Sequence, residues 1–337
     1  MEQKNSISMQ GFNLQLFDTD VQISTQDSLS AEIKEFYKTR LIDNAEPNLV
    51  HDQFGDEYDI PNGTGSTIEY RKFSALEKAT EPLVEGVTKA GNKLSVSKIT
   101  GEVHQYGDYI KSSDIIQMTA VDPIVVQKTK LLGSQAGRTL DTITWEVLNS
   151  GFNVLYAPKA DGTEVTSRAN LTDDCRLTPD VIFRCQAQLE AMNAELIQGS
   201  YVAIIHPYAA YDLMRYKEEW VNVMQYAKPE NYFRGEIGMI GNVRFVKSSE
   251  AKIWTGDGCP TGKAVFSTLV LGAHAYAKTK LANGGLKHIV KPLGYNDELN
   301  RISSVGWKAT KGADILSDEF IIRIESLSKY SATAKAN

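Results

Sequence analysis

An α+β fold with more than one lobe is predicted for this chain, on three observations. Helical stripes and short strands are mixed without regular βαβ alternation, which argues against a doubly wound sheet. One amphipathic run, residues 122–150, is far longer than an average helix. Two other stretches, residues 1–60 and the hairpin pattern after them, carry too few apolar side chains to build cores of their own. A length of 337 residues suits two lobes, and 42% hydrophobic with 23% charged residues is an ordinary globular balance that excludes wholesale disorder.

Residues 1–60 are polar, with short apolar groupings such as Phe12, Leu14, Leu16 and Phe17, and read as an arm that lies along other surfaces. Fully extended at about 3.3 Å per residue, it would reach roughly 200 Å. From Gly65 to Ser112 the pattern is of strands: Ile68 and Tyr70 alternate with polar residues, as do Leu94 and Val96, and then Ile99 and Val103 in shifted phase. That shift predicts a bulge near Ser97 and Lys98. Ser74 to Asn92 joins the strands as a turn-rich loop, so the whole is a long hairpin that needs a third surface to rest on.

Asp122-Pro123 opens the long helix, with Asp as N-cap and Pro in the first turn. Its apolar stripe is Leu132, Ala136, Leu140, Ile143 and Val147, and Asn149-Ser150-Gly151 ends it. Gly133 and Gly137 sit one turn apart inside it, each costing about 1 kcal/mol against Ala, which predicts close approach by another element. Thr178-Pro179 opens a second helix with Ile182, Cys185, Leu189, Met192 and Leu196 inward, expected to end at Gly199. Tyr201 to His206 reads as a buried strand and Pro207 as the start of another helix. Further strands are expected at 243–246, 264–271, 286–290, 302–307 and 320–324.

Chemistry-bearing motifs fail on spacing. In Gly258-Cys259-Pro260-Thr261-Gly262-Lys263-Ala264, Asp257 stands where a phosphate loop needs its first glycine, and Ala264 where it needs Ser or Thr. Gly235, Gly238 and Gly241 precede a strand instead of following one, which reads as a turn-rich entry to Val243 and not a dinucleotide fingerprint. His51, His104, His206, His274 and His288 are dispersed, and Cys175, Cys185 and Cys259 have no metal-ligand spacing, so surface or packed roles are expected. No catalytic, cofactor-binding or metal-binding residue is predicted. No signal-like or membrane-spanning apolar run is present, so assembly in a cytoplasm without membrane contact is expected. A net charge of −6 leaves no broad basic footprint, which predicts only weak contact with nucleic acid.

Six segments, in order, resemble the major capsid proteins of tailed bacteriophages, in particular the coliphage N-four-like family within the Hong Kong-type capsid fold. They include GSTIEYRKFSAL (65–76), DPIVVQKTKLLGSQAGRTLDTITWEVLNSG (122–151), YVAIIHPYAAYDL (201–213) and LNRISSVGWKATKGADILSDEFIIRIES (299–326). The resemblance covers roughly residues 60–327. It implies an N-terminal arm at 1–60, an extended loop at 61–110, a peripheral domain at 111–177 with a spine helix at 122–150, an axial domain at 178–285, and a return to the peripheral domain at 286–337. It also implies a non-enzymatic subunit of hexamers and pentamers in an icosahedral shell around double-stranded DNA, residing in the virion. Scaffolding, portal and decoration proteins would be partners, and packaged DNA would be touched weakly and without sequence preference. Arg71, Lys72, Glu85, Lys89 and Lys93 in the loop, with Gly133 and Gly137 in the helix, are the candidate inter-subunit contacts. The alternatives are an encapsulin-like nanocompartment shell of the same fold, enclosing enzyme cargo, and an α+β enzyme.

Overall fold

A computed structural model describes residues 49–73, 76, 78–80, 82, 85–86, 91–119, 124–216, 221–222, 235–294 and 299–337. Most of the expected arm and much of the loop tip, Lys89 included, lie outside these.

A mixed sheet and one long helix form the first layer pair. Strands β1 (Asp56–Ile60) and β12 (Tyr276–Leu281) run parallel, and β12 continues antiparallel onto the end of β14 (Ile302–Ile315). Over the rest of its length β14 is flanked by β4 (His104–Ser113) on one side and β13 (Lys287–Lys291) on the other. Alternation along β14 sends Val305, Trp307 and Ala309 to one face, where Leu132, Ala136 and Leu140 of the long helix α2 (Ile124–Leu148) meet them. Its 25 residues make a rod of roughly 38 Å at about 1.5 Å each. A short helix α1 (Asp114–Thr119) leads from β4 towards it.

An eight-stranded sheet forms the second lobe. Its order is β5 (Val154–Tyr156), β15 (Ile321–Ser326), β11 (Val265–Leu271), β6 (Tyr201–Ile205), β9 (Val243–Lys247), β8 (Glu236–Ile240) and β7 (Val221–Asn222), with β10 (Ile253–Trp254) beside β11. Every residue of β6 and β11 is buried, as their unbroken apolar runs require of strands covered on both faces. Helix α3 (Pro179–Ala191) lays Val181, Ile182, Cys185 and Leu189 on this sheet.

Three expectations are corrected. Helix α3 stops at Ala191, not near Gly199: Asn193 takes φ +55°, and the Ala194 and Asn193 amides bond back to the Leu189 and Glu190 carbonyls, closing the helix. Leu196, expected in its stripe, is exposed as a result. The hairpin strands β2 (Thr67–Phe73) and β3 (Val96–Glu102) pair without a register shift, so there is no bulge near Ser97. The change of phase falls within β3, where Val96 is exposed on one face and Ile99 half-buried on the other. Gly235, Gly238 and Gly241 belong to a hairpin: Gly238 lies inside β8 next to a bulge, and Gly235 and Gly241 have positive φ at its ends. Within residues 49–60, Val50, Phe54 and Ile60 are buried against the body. Strand β12 pairs in the first sheet, and the second sheet takes β5 and β15 from outside residues 178–285.

Helix α4 (Pro207–Leu213) is capped by His206, whose Nδ1 accepts from the Tyr208 amide at 3.2 Å. Burial against Phe266 and Tyr208 lowers the pKa of this imidazole to about 4. An unfolded His titrates near 6.5, so the unfolded chain binds a proton that the folded one refuses, and stability falls as pH drops from about 6.5 to about 4. His206→Asn keeps a capping acceptor without a titrating ring. Urea unfolding of the variant should show a smaller stability loss across that window than the parent.

Candidate assembly surfaces

A buried polar cluster ties the chain entering the body to the long helix. The His51 amide and Nδ1 both lie 2.7 Å from the Asp141 carboxylate, and both side chains are fully buried. The next residue, Asp52, receives Lys311 of β14 at 2.6 Å and the Thr144 hydroxyl at 2.5 Å, while Lys311 also donates to the Leu140 carbonyl at 2.8 Å. The Tyr276 hydroxyl donates to the His51 carbonyl, and burial holds that phenol well above its ordinary pKa. Four elements distant in sequence meet here: residues 51–52, helix α2, strand β12 and strand β14.

The hairpin rises from a second junction. Tyr70 of β2 bonds Thr279 and reaches Asp314 at 3.5 Å; desolvation, with the nearby Asp314 charge, pushes its pKa up to about 12. Tyr58 packs edge-on against it, with ring centroids 5.2 Å apart. Beyond this root the described apolar residues of the hairpin turn outward: Phe73 is 59% and Leu94 64% exposed, with Val96 and Leu76 also open.

The expected contact residues divide between surface and interior. Arg71 and Lys72 are exposed on β2, Lys72 lying 3.9 Å from Glu319 of its own chain. Glu85 is exposed beside Gly86, which has φ +80°, and Lys93 is exposed where the chain returns towards β3. Lys89 lies outside the described residues. Gly133 and Gly137 are buried within the subunit, on a stripe that continues through Asp141 and Thr144 to the polar cluster.

No family model and no curated protein sequence matches the chain. Solved structures do. The chain superposes on the capsid protein of Ralstonia phage GP4 with TM-score 0.67 at 16% identity, over 82% of this chain and 87% of that one. For the capsid of cyanophage P-SCSP1u the TM-score is 0.61 at 15% identity, over 83% and 89% of the two chains. The holo-SrpI encapsulin of Synechococcus elongatus matches with TM-score 0.51 at 12% identity, over 86% and 90%. The chain has the phage capsid fold.

In the terms of that fold, α2 is the spine helix and the β2–β3 hairpin the extended loop. The polar cluster that pins the spine was not read from the sequence, because its partners are separated by 90 positions for His51 and Asp141 and by 259 for Asp52 and Lys311. One signal was present: Asp141, four residues after Gly137, places an acid on the buried side of the spine. Cys185 is another interior group, its thiol pushed up to about 12 by burial and hence unreactive. Among the described residues, no cluster of three or more His, Cys, Asp or Glu side chains is placed to hold a metal ion.

Lys311→Ala would strand Asp52 and the Leu140 carbonyl without their ammonium, a break that costs about 3–5 kcal/mol at buried pairs. Lys280→Ala, which removes an exposed pairing with Glu57, should cost under about 1 kcal/mol. Urea titrations of the two variants measure the difference. At Gly137, Leu should destabilise the subunit by overpacking, while Ala should be tolerated far better. Equal stabilisation by both would mean that the glycine has no packing role.

Proposed function

We propose that this chain is a major capsid protein that assembles into hexamers and pentamers of an icosahedral shell around double-stranded phage DNA. The observation that carries the proposal is the match over 82% of the chain to the Ralstonia phage GP4 capsid. Surface chemistry supports it. Met118 and Leu131 are largely exposed, as is Phe152 at 93%, and beyond Tyr70 the described hairpin residues Phe73, Leu76, Leu94 and Val96 are open as well. Exposed apolar side chains of this number suit a protein whose neighbours complete its surface. A scaffolding protein and a portal are the expected assembly partners, decoration proteins attach from outside, and no residue is assigned a catalytic role. The encapsulin match supplies the second reading, a shell around enzyme cargo.

Electron micrographs of purified particles, with a nuclease-protection assay, test the proposal. Icosahedral shells protecting phage-length DNA are expected. Cargo enzyme in place of DNA would select the encapsulin reading, and a compact monomer at every concentration, with or without scaffold, would remove both. Replacing Leu76 to Gly91 with an Asn-Gly turn, which suits a two-residue hairpin loop, should leave the free subunit's thermal transition nearly unchanged while abolishing shells. Wild-type shells should melt above free subunits, because a partner that binds only the folded state stabilises it by mass action.

A further inference from the structure

The dipeptide Asn-Gly occurs at two places in the chain, Asn62-Gly63 and Asn283-Gly284. In such a pair the main-chain amide of the glycine can attack the carboxamide before it, because no Cβ stands in the way. The fold treats the two copies in opposite ways.

Asn62 and Gly63 occupy the turn between β1 and β2, where every residue from Pro61 to Ser66 is exposed. Thr64 closes this turn, its amide and hydroxyl both donating to the Pro61 carbonyl, at 3.4 and 2.7 Å. No hydrogen bond among the described residues holds the Asn62 carboxamide or the Gly63 amide. Gly63 has φ +86°, and a Cβ built on it would meet nothing within 4 Å, so the two reacting groups lie in open space. Asn283 is exposed as well, so exposure does not separate the two copies. The difference lies in the amide. Gly284 donates to the Leu281 carbonyl at 2.7 Å, and its own carbonyl accepts from the Thr310 amide at 2.7 Å and the Thr310 hydroxyl at 2.9 Å. A Cβ at Gly284 would lie 2.9 Å from the Leu281 oxygen and 3.0 Å from the Thr310 Cβ, which leaves this peptide no room to turn towards the Asn283 side chain.

We propose that Asn62 is a self-modifying site, converted to aspartate and isoaspartate by the Gly63 amide. The Gly63 nitrogen bonds to the Asn62 Cγ, the Cγ–Nδ2 bond breaks, and the amide proton leaves with the nitrogen as ammonia, giving a cyclic imide. Water then opens the imide. Opening at the side-chain carbonyl leaves aspartate, and opening at the main-chain carbonyl leaves isoaspartate, whose backbone runs through the side chain and is longer by a methylene. Either product adds a carboxylate just beyond β1, where Glu57 already pairs with Lys278 and Lys280, and Asp59 lies 3.7 Å from Lys280. The turn also directs the hairpin away from the body, since Ile60 is buried before it and β2 pairs with β3 after it. Conversion thus marks the age of a subunit at the root of its hairpin. The proposal is independent of the capsid reading.

Incubation of the folded chain in mildly alkaline buffer, followed by peptide mapping with mass spectrometry, tests it. Asn62 should convert at least about tenfold faster than Asn283, the ratio that corresponds to about 1.4 kcal/mol for opening the Gly284 turn before reaction. In guanidinium chloride the two should convert at similar rates, since the dipeptide is the same and only the fold separates them. Asn62→Gln, with its carboxamide one methylene further away, should leave this turn unconverted in the folded chain over the same period. Equal rates at Asn62 and Asn283 in the folded chain would overturn the proposal. So would a difference that persists in denaturant, which would assign the selectivity to sequence and not to the fold.

Discussion

The Asp52–Lys311 pair and the adjoining His51–Asp141 contact hold the architecture in register. Burying charge is costly unless each charged group finds a partner, so these side chains tolerate few alternative placements. Lys311 reaches both Asp52 and the Leu140 carbonyl, which sets the height of the spine helix over β14. His51 sets where the incoming chain crosses that helix, and from there residues 56–60 pair in parallel beside β12. Hydrophobic contact alone, being non-directional, would let a smooth helix slide over a sheet; hydrogen-bonded charges do not.

From this rigid body the hairpin extends as a lever with a firm root and an open end. Tyr70 is sunk between Thr279 and Asp314, and Gly101 leaves room for the Asp314 carboxylate against the backbone of β3. A few residues further out, Phe73, Leu94 and Val96 face solvent. In a solitary protein such strands would be an association hazard. If the chain assembles as proposed, the same exposure becomes the means of assembly, and the stability of each copy becomes linked to that of its neighbours.

Net charge describes the chain poorly at the scale on which contacts are made. A total of −6 coexists with a stretch of sheet, across β4, β14 and β13, whose face opposite the long helix carries Lys111, Lys287, Lys291 and Lys308, because strand alternation sorts side chains by parity. Lys111, Lys287, Lys291 and Lys308 come from three strands and share one face only once the register is set. Sorting of this kind gives an acidic chain a locally basic surface.

Local patterns settled a good deal by themselves. The length and position of the spine helix, the all-buried strands β6 and β11, the Thr178-Pro179 helix start and the pairing of the hairpin strands are all legible, because periodicity and capping act over a few residues. The α+β class was legible for the same reason, whereas the capsid resemblance lies in whole segments such as residues 122–151 and 299–326. Tertiary structure alone decided where the spine is pinned, since His51, Asp52, Asp141 and Lys311 look like ordinary polar residues until the fold brings them together. It also decided that β12 belongs to one sheet and β15 to the other, and that Asn193, not Gly199, ends the second helix, through a left-handed residue that the apolar stripe does not announce. The physical reason is one of range: helix and strand patterns are written in neighbouring residues, whereas burial, ion pairing and sheet register depend on residues hundreds of positions apart.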